Sequence, residues 1–103
     1  MNQEVTLDYK SQAERVIARM QNEYGYLHCE LCGRINCNLH THHIVYKSEA
    51  AKHPELHNER NLILVCADGI GYHGCHEKLH ADKKKREKLV QERNLKELFP
   101  NII

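Results

Sequence analysis

The chain has 103 residues, of which 41% are hydrophobic and 28% charged, and its formal net charge is +1. This is the size and composition of one soluble globular domain; it excludes disorder, a collagen-like repeat and a multi-domain enzyme with a built-in nucleotide fold. No apolar run approaches the ~20 residues that span a bilayer, and the opening MNQEVTLDYK lacks the cationic start and apolar stretch of a signal peptide. No membrane partner and a cytoplasmic location are therefore expected.

Residues 1–28 predict one helix. Tyr9, Ala13, Val16, Ile17, Met20 and Tyr24 recur at helical spacing, Asp8 can cap the start and Gly25 can stop the end. Its role is to pack an apolar face, without chemistry. CELCGR at 29–34 predicts a turn, and LHTHHIVY at 39–46 a strand. Residues 47–60 are polar and read as a loop with at most one helical turn. Asn61 then leads a short buried strand over 62–65. Residues 67–74 hold three of the five glycines and form a loop. From 75 to 99 the pattern is helical, with Leu79, Leu89, Val90, Leu95 and Leu98 as apolar positions, and Pro100 closes it. Residues 76–103 carry eight Lys/Arg against five Asp/Glu. This basic pole suits a phosphate-rich partner.

Five Cys and nine His are many for so short a chain. Without a secretion signal, metal binding is expected before disulfides, and the odd number of thiols also disfavours full pairing. Cys29 and Cys32 form C-x-x-C, and Gly33 permits the tight backbone that turns both thiolates onto one ion. Cys66 and Cys75, at the end of the second strand and the start of the last helix, complete a four-thiolate set for tetrahedral structural zinc. Such a site supplies stability that a small core lacks. Cys37 is spare: it could replace Cys66, with His40, or be a free thiol. A redox C-x-x-C is disfavoured because the βαβ context is missing.

His42 and His43 are adjacent at the end of the first strand. His76 and His80, four apart on the last helix, share a face and can chelate one cation. Asn61 opens the strand between them. Two strands and a helix would hold the metal and leave one of the paired imidazoles as a base. A neutral imidazole with a pKa near ~6.5 suits both roles.

The succession C-x-x-C-G, HHI, NLILVC and CHEKLH resembles the HNH endonucleases of the cysteine-bearing ββα-metal type, and in particular their small phage-encoded members, over residues 29–82. The resemblance implies an α+β fold. A zinc-stabilised, treble-clef-like ββα core would span 29–82, with a helical extension over 1–28 and a long C-terminal helix whose basic continuation covers 83–103. By position, His43 matches the general base, His42 the metal ligand before it, Asn61 the motif's asparagine (Asn58 is its rival) and His76 the closing histidine. His80 matches a further ligand of the subgroup resembling the nuclease colicins. The departure is the stretch between Cys66 and Cys75, eight residues where two are usual.

The activity implied is hydrolysis of DNA phosphodiester bonds, by nicking or double-strand cleavage. The implied cofactors are a structural Zn2+ and a catalytic divalent ion: Mg2+, Mn2+, Ni2+ or Zn2+. Lys83, Lys84, Lys85 and Arg86 would neutralise phosphates beside the cut, a plain solvated helix face being the alternative. Arg34 and Tyr46 are candidates for touching bases. One active site cuts one strand, so a double-strand break needs a homodimer or two events; phage accessory proteins are further candidate partners. A non-catalytic zinc module that binds nucleic acid or a protein is the competing function. The base His43 beside a ligand histidine, together with Asn61, favours the enzyme.

Overall fold

Among the described residues, three helices and a two-stranded antiparallel sheet follow in the order α1 (Tyr9–Tyr24), β1 (Leu39–His43), β2 (Leu62–Cys66), α2 (Cys75–Ala81) and α3 (Lys83–Glu92). The computed structural model describes residues 7–35, 37–67, 74–100 and 102. The architecture is α+β, and no described helix is long and apolar enough to cross a membrane.

The Asp8 carboxylate accepts the Ser11 backbone N–H and hydroxyl, both at 3.0 Å, and so caps the first turn of α1. Gly25, at φ +79°, closes the other end by donating to the Gln21 carbonyl. The helix is thus shorter than the 28 residues expected of the segment, whose residues 1–6 lie outside the described ones. Gln12, Val16 and Met20 are its buried positions, whereas Tyr9 and Tyr24 are exposed.

β1 and β2 pair with Leu39 opposite Cys66 and His43 opposite Leu62. All five residues of β2 are buried, because the strand is covered on both faces. Val16 and Met20 of α1 pack on Leu62 and Leu64. Ile63 and Val65 join the larger core with Leu79, Leu89, Leu95 and Phe99. Each such side chain contributes about 1.5–3 kcal/mol by leaving water.

β1 stops at His43, short of the strand expected over 39–46. The completely buried Asn61 side chain holds the chain just beyond it. Its Oδ1 accepts the Val45 N–H at 2.7 Å, while its Nδ2 donates to the carbonyls of Val45 at 3.1 Å and Leu56 at 2.9 Å. Ile44 N–H still donates to the Asn61 backbone carbonyl at 2.9 Å, and beyond it the Asn61 side chain fixes the loop between the strands to the start of β2. A 3₁₀ turn, Glu59–Asn61, enters that strand.

The C-terminal part corrects the sequence reading. The single long helix over 75–99, with a basic continuation through 83–103, is broken at Asp82 and again at Asn94. Asp82 is extended (φ −112°, ψ 95°), and its carboxylate accepts the Lys85 N–H at 3.1 Å, starting α3 afresh. A short acidic side chain is worth more as a cap than inside a helix. Asn94, at φ +51°, turns the chain into the 3₁₀ segment Leu95–Glu97, which buries Leu95 and Phe99. Between these bends Arg93 reaches back, donating to the Leu62 carbonyl at 2.7 Å and the Arg60 carbonyl at 3.2 Å and pairing with Glu30 at 3.2 Å. Glu30 in turn accepts the Leu64 N–H at 2.6 Å. Helix α3, strand β2 and the C-x-x-C turn are locked together by this one guanidinium.

Candidate functional site

The sulfurs of Cys29, Cys32, Cys66 and Cys75 converge, all within 4.8 Å of one another. The turn that presents the first two is closed by hydrogen bonds from Cys29 N–H to the Arg34 carbonyl and from Gly33 N–H to the Cys29 carbonyl, both 2.9 Å, with Gly33 at φ +77°. Backbone N–H groups point at the sulfurs: Cys32 N lies 3.5 Å from Cys29 Sγ, and Cys75 N lies 3.3 Å from Cys66 Sγ. Burial pushes the Cys32 thiol up, but hydrogen bonds from the Arg34 backbone and the neighbouring thiols outweigh it and hold the group at about 7. Burial pushes Cys66 and Cys75 up instead. Four sulfurs this close cannot all ionise unless a cation takes up the charge. An all-sulfur, largely buried set with N–H···S support can hold a structural metal such as zinc.

The long spacing between Cys66 and Cys75 is no obstacle, although residues 68–73 lie outside the described ones. A Cβ on Gly74 would overlap the Ala67 carbonyl group, so the two ends of the loop touch and Cys75 returns beside Cys66. Cys37, the spare thiol, is not one of the converging four; its Sγ lies 3.6 Å from the Arg34 carbonyl oxygen. His40 stands apart from that cluster as well, its ring 5.5 Å from His76.

A second convergence joins β1 to α2. One ring nitrogen each of His42, His76 and His80 lies within 4.8 Å of the others. His76 and His80 are one helical turn apart and face the strand side that carries His42. His42 is 6% exposed, and its Nε2 is buried without a hydrogen-bond partner. A buried ring nitrogen left this way is costly unless something binds it, and a cation between the three imidazoles would satisfy it. Burial first, then the charges of His80, His76, His43 and Arg86, pushes His42 down to about 4, which keeps it in the neutral, ligating form. Three imidazoles, one of them exposed, can leave coordination positions open to solvent.

His43 belongs to the opposite face of β1, because neighbouring residues of a strand alternate. Its Nε2 lies 3.0 Å from Nδ1 of His57, and the Tyr9 ring packs against both imidazoles, with centroids at 5.4 and 5.7 Å. The Tyr9 hydroxyl donates to the Thr41 carbonyl at 2.9 Å. Burial, reinforced by His57 and Lys47, pushes His43 below the usual imidazole range. At the strand end the two faces meet in a groove of about 310 Å³ lined by His42, His43, Tyr46, Lys47, Ser48 and His80. Helix α1 is thus more than packing, since it brings Tyr9 to the histidines. Neither Tyr9 nor His57 was singled out as a site residue by sequence, and no spacing signal marks His57.

Asn61, expected either to position His43 or to brace the loop between the strands, hydrogen-bonds to the backbone of Val45 and Leu56 and so braces that loop. Its rival Asn58 caps the following turn by accepting the Arg60 N–H at 2.9 Å. Among the basic residues, Lys83, Lys84 and Lys85 are exposed, but Arg86 is not one of a uniform set of four. It is ion-paired with Glu49 and stacked 4.2 Å from the centre of the Tyr46 ring, which itself lies 5.3 Å from that of His80. Arg34 is exposed. A larger groove of about 590 Å³ runs between Ile44–Val45 and α3, with no converging set of metal donors among the described residues. No protein-family model, curated protein or solved structure matches the chain.

Proposed function

We propose that the protein is a metal-dependent endonuclease of the HNH type that hydrolyses DNA phosphodiester bonds. The observation that carries this reading is the convergence of His42, His76 and His80, with a buried unpartnered nitrogen on His42, beside a groove that His43 also lines. Those three residues would hold a divalent ion, which when bound supplies a Lewis acid for the scissile phosphate and the departing 3′ oxygen. His43 takes a proton from the attacking water as general base; its depressed pKa keeps the accepting nitrogen unprotonated at neutral pH. The products are a 5′-phosphate and a 3′-hydroxyl. Cys29, Cys32, Cys66 and Cys75 hold the structural zinc that fixes α2, and with it His76 and His80, against the sheet. Asn61 acts as a positioning residue through the loop that ends in β2. Lys83, Lys84 and Lys85 meet flanking phosphates, and Arg86 orders Tyr46 against His80.

The test is plasmid cleavage with Mg2+, Mn2+, Ni2+ and Zn2+, wild type beside variants. His43→Ala is expected to lower the rate by about 10²–10⁴ while leaving metal affinity nearly intact. His80→Ala is expected to weaken both the second metal and the rate. Loss of metal in His43→Ala with retention in His42→Ala would mean that the two roles are exchanged. Absence of cleavage with all four ions would leave a zinc module without nuclease activity.

A further inference from the structure

The base has a neighbour that the proposed chemistry has not used. His57 sits in the loop between the strands, fourteen residues from His43, and their rings meet through Nε2 of His43 and Nδ1 of His57 at 3.0 Å. Only one proton can lie between these atoms, so the contact couples the tautomers of the two rings: one nitrogen donates and the other accepts. Tyr9 closes over both rings, and its hydroxyl is tied to the Thr41 carbonyl two residues before His43. The loop that holds His57 is itself fixed, because Asn61 Nδ2 donates to the carbonyl of Leu56, the residue before His57. Three separate segments of the chain therefore converge on the orientation of one imidazole.

We infer that His57 is the positioning residue of the base: its Nδ1 accepts the Nε2–H of His43, which leaves the lone pair of His43 on Nδ1 for the water proton. This inference rests on the nuclease reading and adds a residue to it. When His43 takes the water proton on Nδ1 it becomes an imidazolium whose Nε2–H is already donated to a neutral acceptor. The hydrogen bond therefore strengthens as the charge develops. The proton count is closed: one proton leaves water, one arrives at Nδ1, and the Nε2–H stays on His43. Without His57 the ring is free to flip or to adopt the Nδ1–H tautomer, and either change removes the accepting atom from the groove.

Two measurements test this. Nitrogen-15 NMR of the histidine rings should report Nε2–H for His43 and show a scalar coupling from that nitrogen to Nδ1 of His57; an Nδ1–H tautomer at His43 overturns the inference whatever the protein cleaves. In plasmid cleavage, His57→Leu should lower kcat about a hundredfold, the scale on which a misplaced catalytic group acts, with KM and metal content close to wild type. His57→Asn, whose side-chain oxygen falls near the place of Nδ1, should recover most of that loss. A folded His57→Leu protein that cleaves like wild type, while His43→Ala does not, overturns the positioning role and leaves the nuclease standing. A His57→Asn protein that folds yet stays as slow as His57→Leu also overturns it. A wild type inert with every ion overturns the nuclease reading and this role together, an outcome told apart by the absence of any difference between wild type and variants.

Discussion

The two convergent donor sets differ in almost every physical respect. The cysteines are three buried and one exposed, and three of them, Cys29, Cys66 and Cys75, are part of the larger core. The histidines run from buried His42 through half-buried His76 to exposed His80, and His42 and His80 border a groove. Four sulfurs complete a tetrahedron and admit no further ligand, whereas three imidazoles do not. The thiol set joins the C-x-x-C turn, the end of β2 and the start of α2; the histidine set joins only β1 and α2. A closed set that ties distant segments together suits a structural ion, whereas an open set beside a groove suits the exchangeable ion of the proposed function.

The contrast breaks most visibly if the thiol set is dispensable. Stripping its metal with a strong chelator, or Cys66→Ser, is expected to abolish cooperative unfolding, since structural zinc sites contribute on the order of 10 kcal/mol and the sulfurs are core atoms. Circular dichroism melts measure it, and a sharp melt retained by the metal-free chain would show that the two sets are alike.

A smaller effect sharpens the histidine side. His42 titrates at about 4 in the folded protein against about 6.5 in an open chain. The unfolded state therefore takes up a proton first. Stability from this group is fully present above pH ~6.5 and is lost as pH falls toward about 4, with burial the main cause and the cations around His42 adding to it. Thermal melts across that window, each sample checked for retained zinc, should fall steadily. His42→Asn should flatten the decline, and an unchanged slope would remove His42 as its source.

The smallest effect concerns the approach of DNA. Replacing Lys84 and Lys85 with Ala in a His43→Ala background should weaken binding about equally across sequences and lower the salt slope by roughly one unit per lost phosphate contact. Arg86→Ala should instead disturb Tyr46 and the histidine face, because its charge is already spent on Glu49. Equal salt slopes in wild type and the lysine variant would make the run a solvated face.

What was legible in the sequence is local. Asp8 and Gly25 bound α1 through contacts within a few residues, the apolar run 62–65 lies buried in β2, and the four-residue spacing of His76 and His80 puts both on one face. What escaped depends on distant partners or on competition within a pattern. Asp82 reads as one more charge in a helical stretch beside lysines, yet its cap on Lys85 breaks the helix. The Asn61 side chain holds the Val45 backbone across sixteen residues, and His57 finds His43 across fourteen. Arg93 holds Glu30 across sixty-three residues, a pairing no periodicity reports.

The tandem of His42 and His43 also bears on errors of pairing. Side chains in a strand alternate, so a slip of β1 by one residue against β2 would exchange the two sides of the sheet at every position. With a single histidine such a slip would empty one side of its imidazole. With two in succession each side still receives one: His43 turns toward α2 as His42 turns toward Tyr9. Only one of the two places is refilled, however: a slip one way brings His43 to the place of His42 and Ile44 to that of His43, and a slip the other way brings His42 to the place of His43 and Thr41 to that of His42. The flanking pairs, Leu39 with Cys66 and His40 with Val65, differ in polarity and are what penalise the shifted alignment.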